Sequence, residues 1–399
     1  MNKMLIALTL SLAWVPGLSL AAKITGCGWQ LLGEHRIPLR QSFEGTPVGG
    51  LSGIDYDPHR KDWVVISDDR SELAPARAYR LTMGPSANEL SKLEVTSLIV
   101  LRQANGSTYP NRSQGGEVPD FEAIRIDPWD SSLWYTSEGD RELGLPPSLR
   151  QADSAGNLLR ILPLPDLFSV QRNREQGVRD NQSFEGLSFS ADGGSLWLAM
   201  EGPLYQDGAS STSERGALLR FTQLDRQGNL LRQVAYPLDP LPSGERHPRD
   251  QNGVAEILAL DDQHLLVLER TIVLTPGERK ARSLARLFSV ELGNASDVQH
   301  LPALAGQSIR PLQKRLLLDL DALGLPHQDM FEGMAWGPSL ADGRHRLIMV
   351  TDDNFDQHGM GQITQVMALA FDASACCLNA ACPPGNGATS ASTGGTESP

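Results

Sequence analysis

The chain of 399 residues carries 48 Asp and Glu against 35 Lys and Arg, a formal charge of −13, which excludes nucleic-acid binding by bulk charge. Its 38 glycines and 26 prolines, with 40% hydrophobic residues, describe a turn-rich globular chain and exclude a coiled coil or a disordered polyampholyte. Surplus carboxylates scattered over the surface would serve solubility alone, whereas carboxylates recurring at matched positions would make a site.

At the N-terminus Met1-Asn2-Lys3-Met4 precedes an apolar stretch from Leu5 to Leu20, with small residues at Ser19 and Ala21, the pattern of a secretory signal over residues 1–22. Pro16-Gly17 interrupts the stretch, and no later segment is apolar over the roughly 18 residues a spanning helix needs, so no membrane span is expected in the mature chain. The protein is expected to be exported, to the periplasm or outside the cell. Ile24-Thr25-Gly26-Cys27 offers a lipoprotein alternative, against which Lys23 interrupts the apolar approach. The four cysteines, Cys27, Cys376, Cys377 and Cys382, sit at the two ends of the mature chain, where export permits disulfides; their connectivity stays open among three pairings.

Between these ends one pattern returns five times. Each copy opens with an alternating strand and closes with a short apolar run and an acidic stop. The openings are Leu51 to Asp57, Phe121 to Asp127, Phe184 to Phe189, Val254 to Leu260 and Phe331 to Trp336; the closings are Trp63 to Asp69, Leu133 to Glu138, Leu196 to Glu201, Leu265 to Glu269 and Leu347 to Asp352. Asp-Pro, Asp-Gly-Gly or Asp-Asp turn chemistry separates the two limbs, so each copy reads as a hairpin. A third strand follows most copies (Arg77 to Leu81, Ala217 to Phe221, Ala285 to Val290, Gln365 to Phe371) and a fourth several (Val95 to Leu101, Leu158 to Leu162, Leu230 to Tyr236). Four antiparallel strands per repeat make the blade of a β-propeller. The fold class is therefore all-β, a propeller over residues 23–375, followed by a cysteine-containing, disordered tail over 376–399. Five copies argue for five blades, and their spacing leaves room for a degenerate sixth. The last copy lacks a fourth strand, which Trp29 to Leu39 can supply, and a bond from Cys27 to the C-terminal cysteines would lock that closure.

In an antiparallel hairpin the start of the first strand and the end of the second share one edge. Glu122, Glu185, Glu256 and Glu332 open first strands; Asp68, Asp69, Glu138, Glu201, Glu269, Asp352 and Asp353 close second ones. If the first strands line the channel, both sets crowd one mouth. Such a ring needs cations or hydrogen bonds to compensate it, and hard oxygen donors suit Ca²⁺ first and Mg²⁺ second. Arg70, Arg141 and Arg270 follow the acidic stops and could answer the carboxylates or orient an anionic substrate. The structural alternative is that the glutamates cap exposed backbone N–H groups and the Asp-Asp pairs are turn residues. Trp63, Trp134, Trp197 and Trp336 fall on blade strands and read as core. The sequence holds no G-x-S-x-G elbow, H-E-x-x-H motif, P-loop or dinucleotide fingerprint.

The Phe-Glu-Gly/Ala openings at Glu122, Glu185 and Glu332, with the endings Ser67-Asp68-Asp69-Arg70, Ser137-Glu138-Gly139-Asp140 and Thr351-Asp352-Asp353-Asn354, resemble the exported phytase-like proteins described as having esterase-like activity of phytase. The resemblance runs from about Gly49 to Phe371 and implies an Asp- and Glu-rich propeller that hydrolyses phosphoesters. With that reading Glu122, Glu185 and Glu332 are the expected catalytic carboxylates, and Arg70, Arg141 and Arg270 hold the substrate. Asp68, Asp69, Glu138, Glu201, Glu256, Glu269, Asp352 and Asp353 are the expected metal ligands. No dense Lys/Arg cluster is present to clamp an inositol polyphosphate, which points to a simpler phosphomono- or diester. A non-catalytic binding propeller with structural calcium and a lactonase-type propeller hydrolase stand as alternatives. The partner is then a small phosphorylated or ester substrate, and a monomer is the favoured state.

Overall fold

The structure is a computed structural model that describes residues 28–84, 90, 92–243, 247, 250–274 and 281–372. The expected signal, the four cysteines and the C-terminal tail lie outside the described residues.

Five four-stranded antiparallel sheets form the blades, which decides between the five and six the repeat spacing allowed. From the inside outward, blade 1 is Leu51–Asp57, Asp62–Ser67, Arg77–Thr82 and Glu94–Val100; blade 2 is Phe121–Ile126, Leu133–Ser137, Ser148–Ala152 and Leu158–Leu162. Blade 3 is Phe184–Phe189, Ser195–Met200, Ala217–Asp225 and Leu230–Leu238; blade 4 is Gln251–Ala259, His264–Leu274, Ala281–Glu291 and Gln313–Asp319. Blade 5 takes Met330–Gly337, His345–Asp352 and Thr364–Phe371 from the C-terminal part of the chain and Gln30–Ile37 from the N-terminal part. The expected closure is thus formed, with Gln30 opposite Ala370 and Ile37 opposite Thr364. Trp29 stacks on Phe371 at 4.4 Å between ring centres and seals the end of this seam. Among the described residues no helix is long and apolar enough to cross a membrane.

Each innermost strand packs on the innermost strand of the next blade, closing the ring. The alternating apolar residues of facing sheets fill the spaces between blades, for example Ile54, Val65, Ala335 and Val350 between blades 5 and 1, and Ile66, Ile124 and Tyr135 between blades 1 and 2. Burial of these sheet faces, at roughly 25 cal/mol per Å² of apolar surface, is the main force holding the ring. Trp63, Trp134 and Trp197 are buried within it, as their positions on blade strands suggested.

The glycine of the repeated Phe-Glu-Gly opening has a packing reason. A Cβ on Gly333 would lie 2.8 Å from the Ser52 carbonyl oxygen of blade 1, and one on Gly53 would lie 2.5 Å from the Glu122 carbonyl oxygen of blade 2. Inner strands approach so closely here that a side chain has no room.

Antiparallel order places all links between second and third strands, and all links from one blade to the next, on the face where the inner strands begin. The long loops that leave the outer strand of blade 1 after Val100 and the second strand of blade 3 after Met200 therefore start on that face.

Candidate active site

The same local device recurs at the start of every inner strand. Pairing skips one residue between Leu51 and Gly53, between Phe184 and Gly186, between Val254 and Glu256, and between Phe331 and Gly333, and a wider irregularity spans Phe121 to Ile124. A β-bulge of this kind re-aims the extra residue out of the ladder. The bulge position holds Ser52, Glu122, Glu185, Ala255 and Glu332 in blades 1 to 5. In each second strand the residue that follows the partner of the last residue before the bulge is Asp68, Glu138, Glu201, Arg270 and Asp352, in the same order.

Blade 4 departs from the expected pattern in both places. Glu256 is one residue beyond the bulge, at the position of Gly186 and Gly333, and Glu269 is one residue short of the rim, at the position of Ser67 and Ser137. A one-residue slip in a strand turns a side chain to the other face. Glu269 accordingly points between blades, accepting from the Tyr236 hydroxyl at 2.6 Å and pairing with Lys314. Neither residue joins the mouth; Arg270 and Ala255 hold their places.

Glu256 has a different partner. It pairs with Arg125 at 2.7 Å, and Leu187 N–H donates to it at 3.0 Å. The Arg125 guanidinium donates to the carbonyl oxygens of Ile54, Ile124, Ile257 and Met334, which occupy one layer of the inner strands of blades 1, 2, 4 and 5. This buried pair ties all five blades together and blocks the channel, so the acidic mouth is a cup rather than a pore. Burial pushes the Glu256 carboxyl up to about 7 against the pull of Arg125.

Above the plug lies a cavity of about 810 Å³ whose lining includes Asp68, Asp120, Glu122, Glu185, Glu332 and Asp352, together with Arg70 and Arg270. Two groups of carboxylates are close enough to share an ion: Asp120, Glu122 and Glu138, and Glu138, Glu185 and Glu201, each with ligand atoms within 4.8 Å of one another. All five residues are buried. Glu138 Oε2 and Glu201 Oε2 have no hydrogen-bond partner, a costly condition for a buried carboxylate and one that a hard cation would relieve. The donor set therefore fits Ca²⁺ or Mg²⁺.

The electrostatics agree with this crowding. Burial, followed by the neighbouring charge of Asp120, pushes Glu122 up to about 8, with Arg70 opposing. Burial raises Asp120 to about 6, again against Arg70, and Asp352 to about 7 against the hydrogen bond from Asn354 N–H. Glu138, Glu185 and Asp68 lie well above the usual carboxylate range, from burial first and neighbouring carboxylates second. Glu201 is raised by burial while Arg270 draws it down. Without a cation these groups hold protons that ordinary surface acids would release.

The remaining candidates divide sharply. Arg70 donates to Asp120 at 2.7 Å and to Asn181, and its side chain is 32% exposed at the cavity. Arg270 bridges Glu201, at 2.6 Å, and Glu332. Arg141 lies outside the cavity lining and donates to the carbonyl oxygens of Gln171, Arg174, Gln176 and Val178, so it holds a loop. Asp69 accepts from Glu72, Leu73 and Ala74 N–H groups and pairs with buried Arg77 at 2.6 Å. Asp353 accepts from Gly50 and Phe355 N–H and from the Thr364 hydroxyl. These two aspartates serve the turn role that stood as their alternative reading, and their oxygens are spent on it. Asp120, which sequence reasoning passed over, supplies the carboxylate between Arg70 and the first triad. Its signal was slight: an acid directly before Phe121-Glu122, which reads as a turn residue.

Fold and site together define a five-bladed propeller with a closed, carboxylate-lined cup at one mouth. A family model for phytase-like proteins, described by esterase-like activity of phytase, matches residues 46–355, and the chain belongs to that family. No curated protein matches it. Among solved structures it is similar to a member of the DUF4221 family from Bacteroides vulgatus, at 9% identity and a TM-score of 0.39, covering 88% of this chain and 100% of that one. It is similar as well to a thermostable family-43 glycoside hydrolase, at 10% identity and a TM-score of 0.44, covering 84% and 91% of the two chains. An N-acetylgalactosamine deacetylase from F. plautii matches at 8% identity and a TM-score of 0.42, covering 87% and 96%. Likenesses at this level carry no argument about the chemistry of this chain.

Proposed function

We propose that the protein is an exported, metal-dependent hydrolase of simple phosphoesters, with Ca²⁺ as its ion and Mg²⁺ as a substitute. The observation that carries this reading is the pair of buried triads sharing Glu138, two members of which keep a carboxylate oxygen without a hydrogen-bond partner. Asp120, Glu122, Glu138, Glu185 and Glu201 would hold the ion, which would supply Lewis-acid stabilisation of charge developing on a phosphoryl oxygen. Arg70, anchored by Asp120 and Asn181, would orient the phosphate. Asp352 lies outside both triads, lines the cavity and is raised to about 7, a value suited to taking a proton from water at neutral pH. Water then adds to phosphorus, the ester P–O bond breaks, and the leaving oxygen takes up a proton.

One observation favours a second reading, a binding propeller whose ion is structural: Arg70 and Arg270 are already engaged by carboxylates. Hydrolysis of phenyl phosphate and diphenyl phosphate by purified protein, with calcium and with chelator, separates the two. Chelator-sensitive turnover supports the hydrolase. A lower melting temperature in chelator with no turnover in calcium supports the binding propeller.

A further inference from the structure

The wall of the cup on the side of blades 4 and 5 is built differently from the rest. The second and third strands of blade 4 each run for 11 residues, against five to nine in the other blades, and stay paired through Leu274 opposite Ala281. Four residues of the second strand, Thr271 to Leu274, therefore continue past the Arg270 layer, a rise of roughly 13 Å at 3.3 Å per residue. Alternation puts Arg270, Ile272 and Leu274 on one face, and all three line the cavity. Leu274 N–H donates to Asp250 at 2.8 Å, which pins the end of this wall. Across the corner, blade 5 adds Met330, Phe355 and Met360 to the lining.

Phe355 reaches its place through an unusual backbone: Asn354, Phe355 and Asp356 all have positive φ, of 43°, 51° and 45°. Successive non-glycine residues in this region are strained by roughly 1–2 kcal/mol each. Asp353 and Asp352 hold them by accepting from Phe355 and Asn354 N–H. The side of the cup facing blades 1 to 3 carries Asp68, Asp120, Glu122 and Glu185 without a comparable apolar set, whereas on the side of blades 4 and 5 the apolar residues stand beside Glu332 and Asp352 and the polar Gln357, His358 and Gln362. A cavity of about 810 Å³ lies in the size range of sites that enclose a whole small ligand, far beyond the needs of one phosphate group.

We propose that the substrate is amphiphilic: its phosphate faces the triads and Arg70, while an alkyl or aryl ester group lies on the wall made by Ile272, Leu274, Met330 and Met360. This rests on the phosphoester reading above. It makes the wall the element that selects among esters, and it gives a role to the apolar side chains that the blade 4 hairpin carries past the Arg270 layer.

The test is calorimetric binding of methyl-, butyl- and hexylphosphonate, which cannot be hydrolysed, in saturating Ca²⁺. Half-covered methylenes give about a two-fold gain each, so affinity is expected to rise about 30-fold from methyl to hexyl. The Leu274→Asn and Met360→Gln variants are expected to flatten that rise while leaving methylphosphonate affinity within about two-fold of the wild type. Equal affinity along the series, or no binding of any member, overturns the amphiphile proposal. Turnover of phenyl phosphate, measured in parallel, reports on the hydrolase reading alone. A chain-length dependence without turnover leaves the wall in place and removes the hydrolase, and turnover with a flat series does the reverse.

Discussion

Glu138 is common to both triads, and its Oε2 has no hydrogen-bond partner, so it is the single side chain whose loss should empty the site. Glu138→Gln is expected to weaken calcium binding about 100-fold or more by calorimetry, since one of the few charged ligands goes. Its melting temperature in chelator should stay close to the wild type, because without a cation the raised Glu138 carboxyl already holds its proton and the amide replaces a neutral group of the same shape. Unchanged calcium affinity would sink the assignment. Asp69→Asn is the contrasting case. It removes the charge facing fully buried Arg77 and should cost about 3–5 kcal/mol in urea unfolding, the range for breaking a buried pair. Calcium affinity of the folded variant should stay within about three-fold, since the two sites share no ligand. From the sequence, Asp68 and Asp69 were indistinguishable as adjacent acids. They diverge because successive residues leaving a strand point to opposite sides, one into the cup and one toward Arg77.

At the scale of the element, blade 5 is the joint of the ring. Its outer strand, Gln30–Ile37, comes from the N-terminal part of the chain and leaves Thr364–Phe371 without an edge partner if removed. A chain beginning at Pro38 is expected to associate into oligomers through that exposed strand, visible by light scattering at micromolar concentration. A monomeric truncation melting at the wild-type temperature would contradict this. The five hairpins were legible because strand alternation and turn residues are local properties, written within each copy. The register of blade 4 was not. Ala255-Glu256-Ile257 looks like the Phe-Glu-Gly opening with its glutamate in place, yet the bulge falls on Ala255, and that choice depends on the pairing of Val254 with Glu269 and of Glu256 with Leu268 in the neighbouring strand.

For the whole molecule, the buried acids set the response to pH. Asp120, Asp352 and Glu122, raised to about 6, 7 and 8, keep protons in the folded chain that the unfolded chain, titrating near 3.8 to 4.5, has already lost. The folded state binds more protons between about pH 4 and 8, so in chelator the contribution of these groups to stability falls as pH rises through that window. Calcium requires the ionised carboxylates, so its binding should release protons, strengthen with pH and reverse that slope. Melting temperatures from pH 5 to 8.5, with and without calcium, check both signs; parallel curves would refute the coupling.

The acidic excess, the five repeated hairpins, the all-β class and the crowding of carboxylates at one mouth follow from sequence alone, because each depends on local alternation and on the composition of short segments. Tertiary structure decided which carboxylates meet. Bulges, the one-residue offset in blade 4 and the closure of the channel by Arg125 and Glu256 arise from contacts between strands distant in the chain. Those contacts sort chemically identical acids into triads, turn caps and inter-blade pairs, since only the packed ring determines which of them are buried together without hydrogen-bond partners.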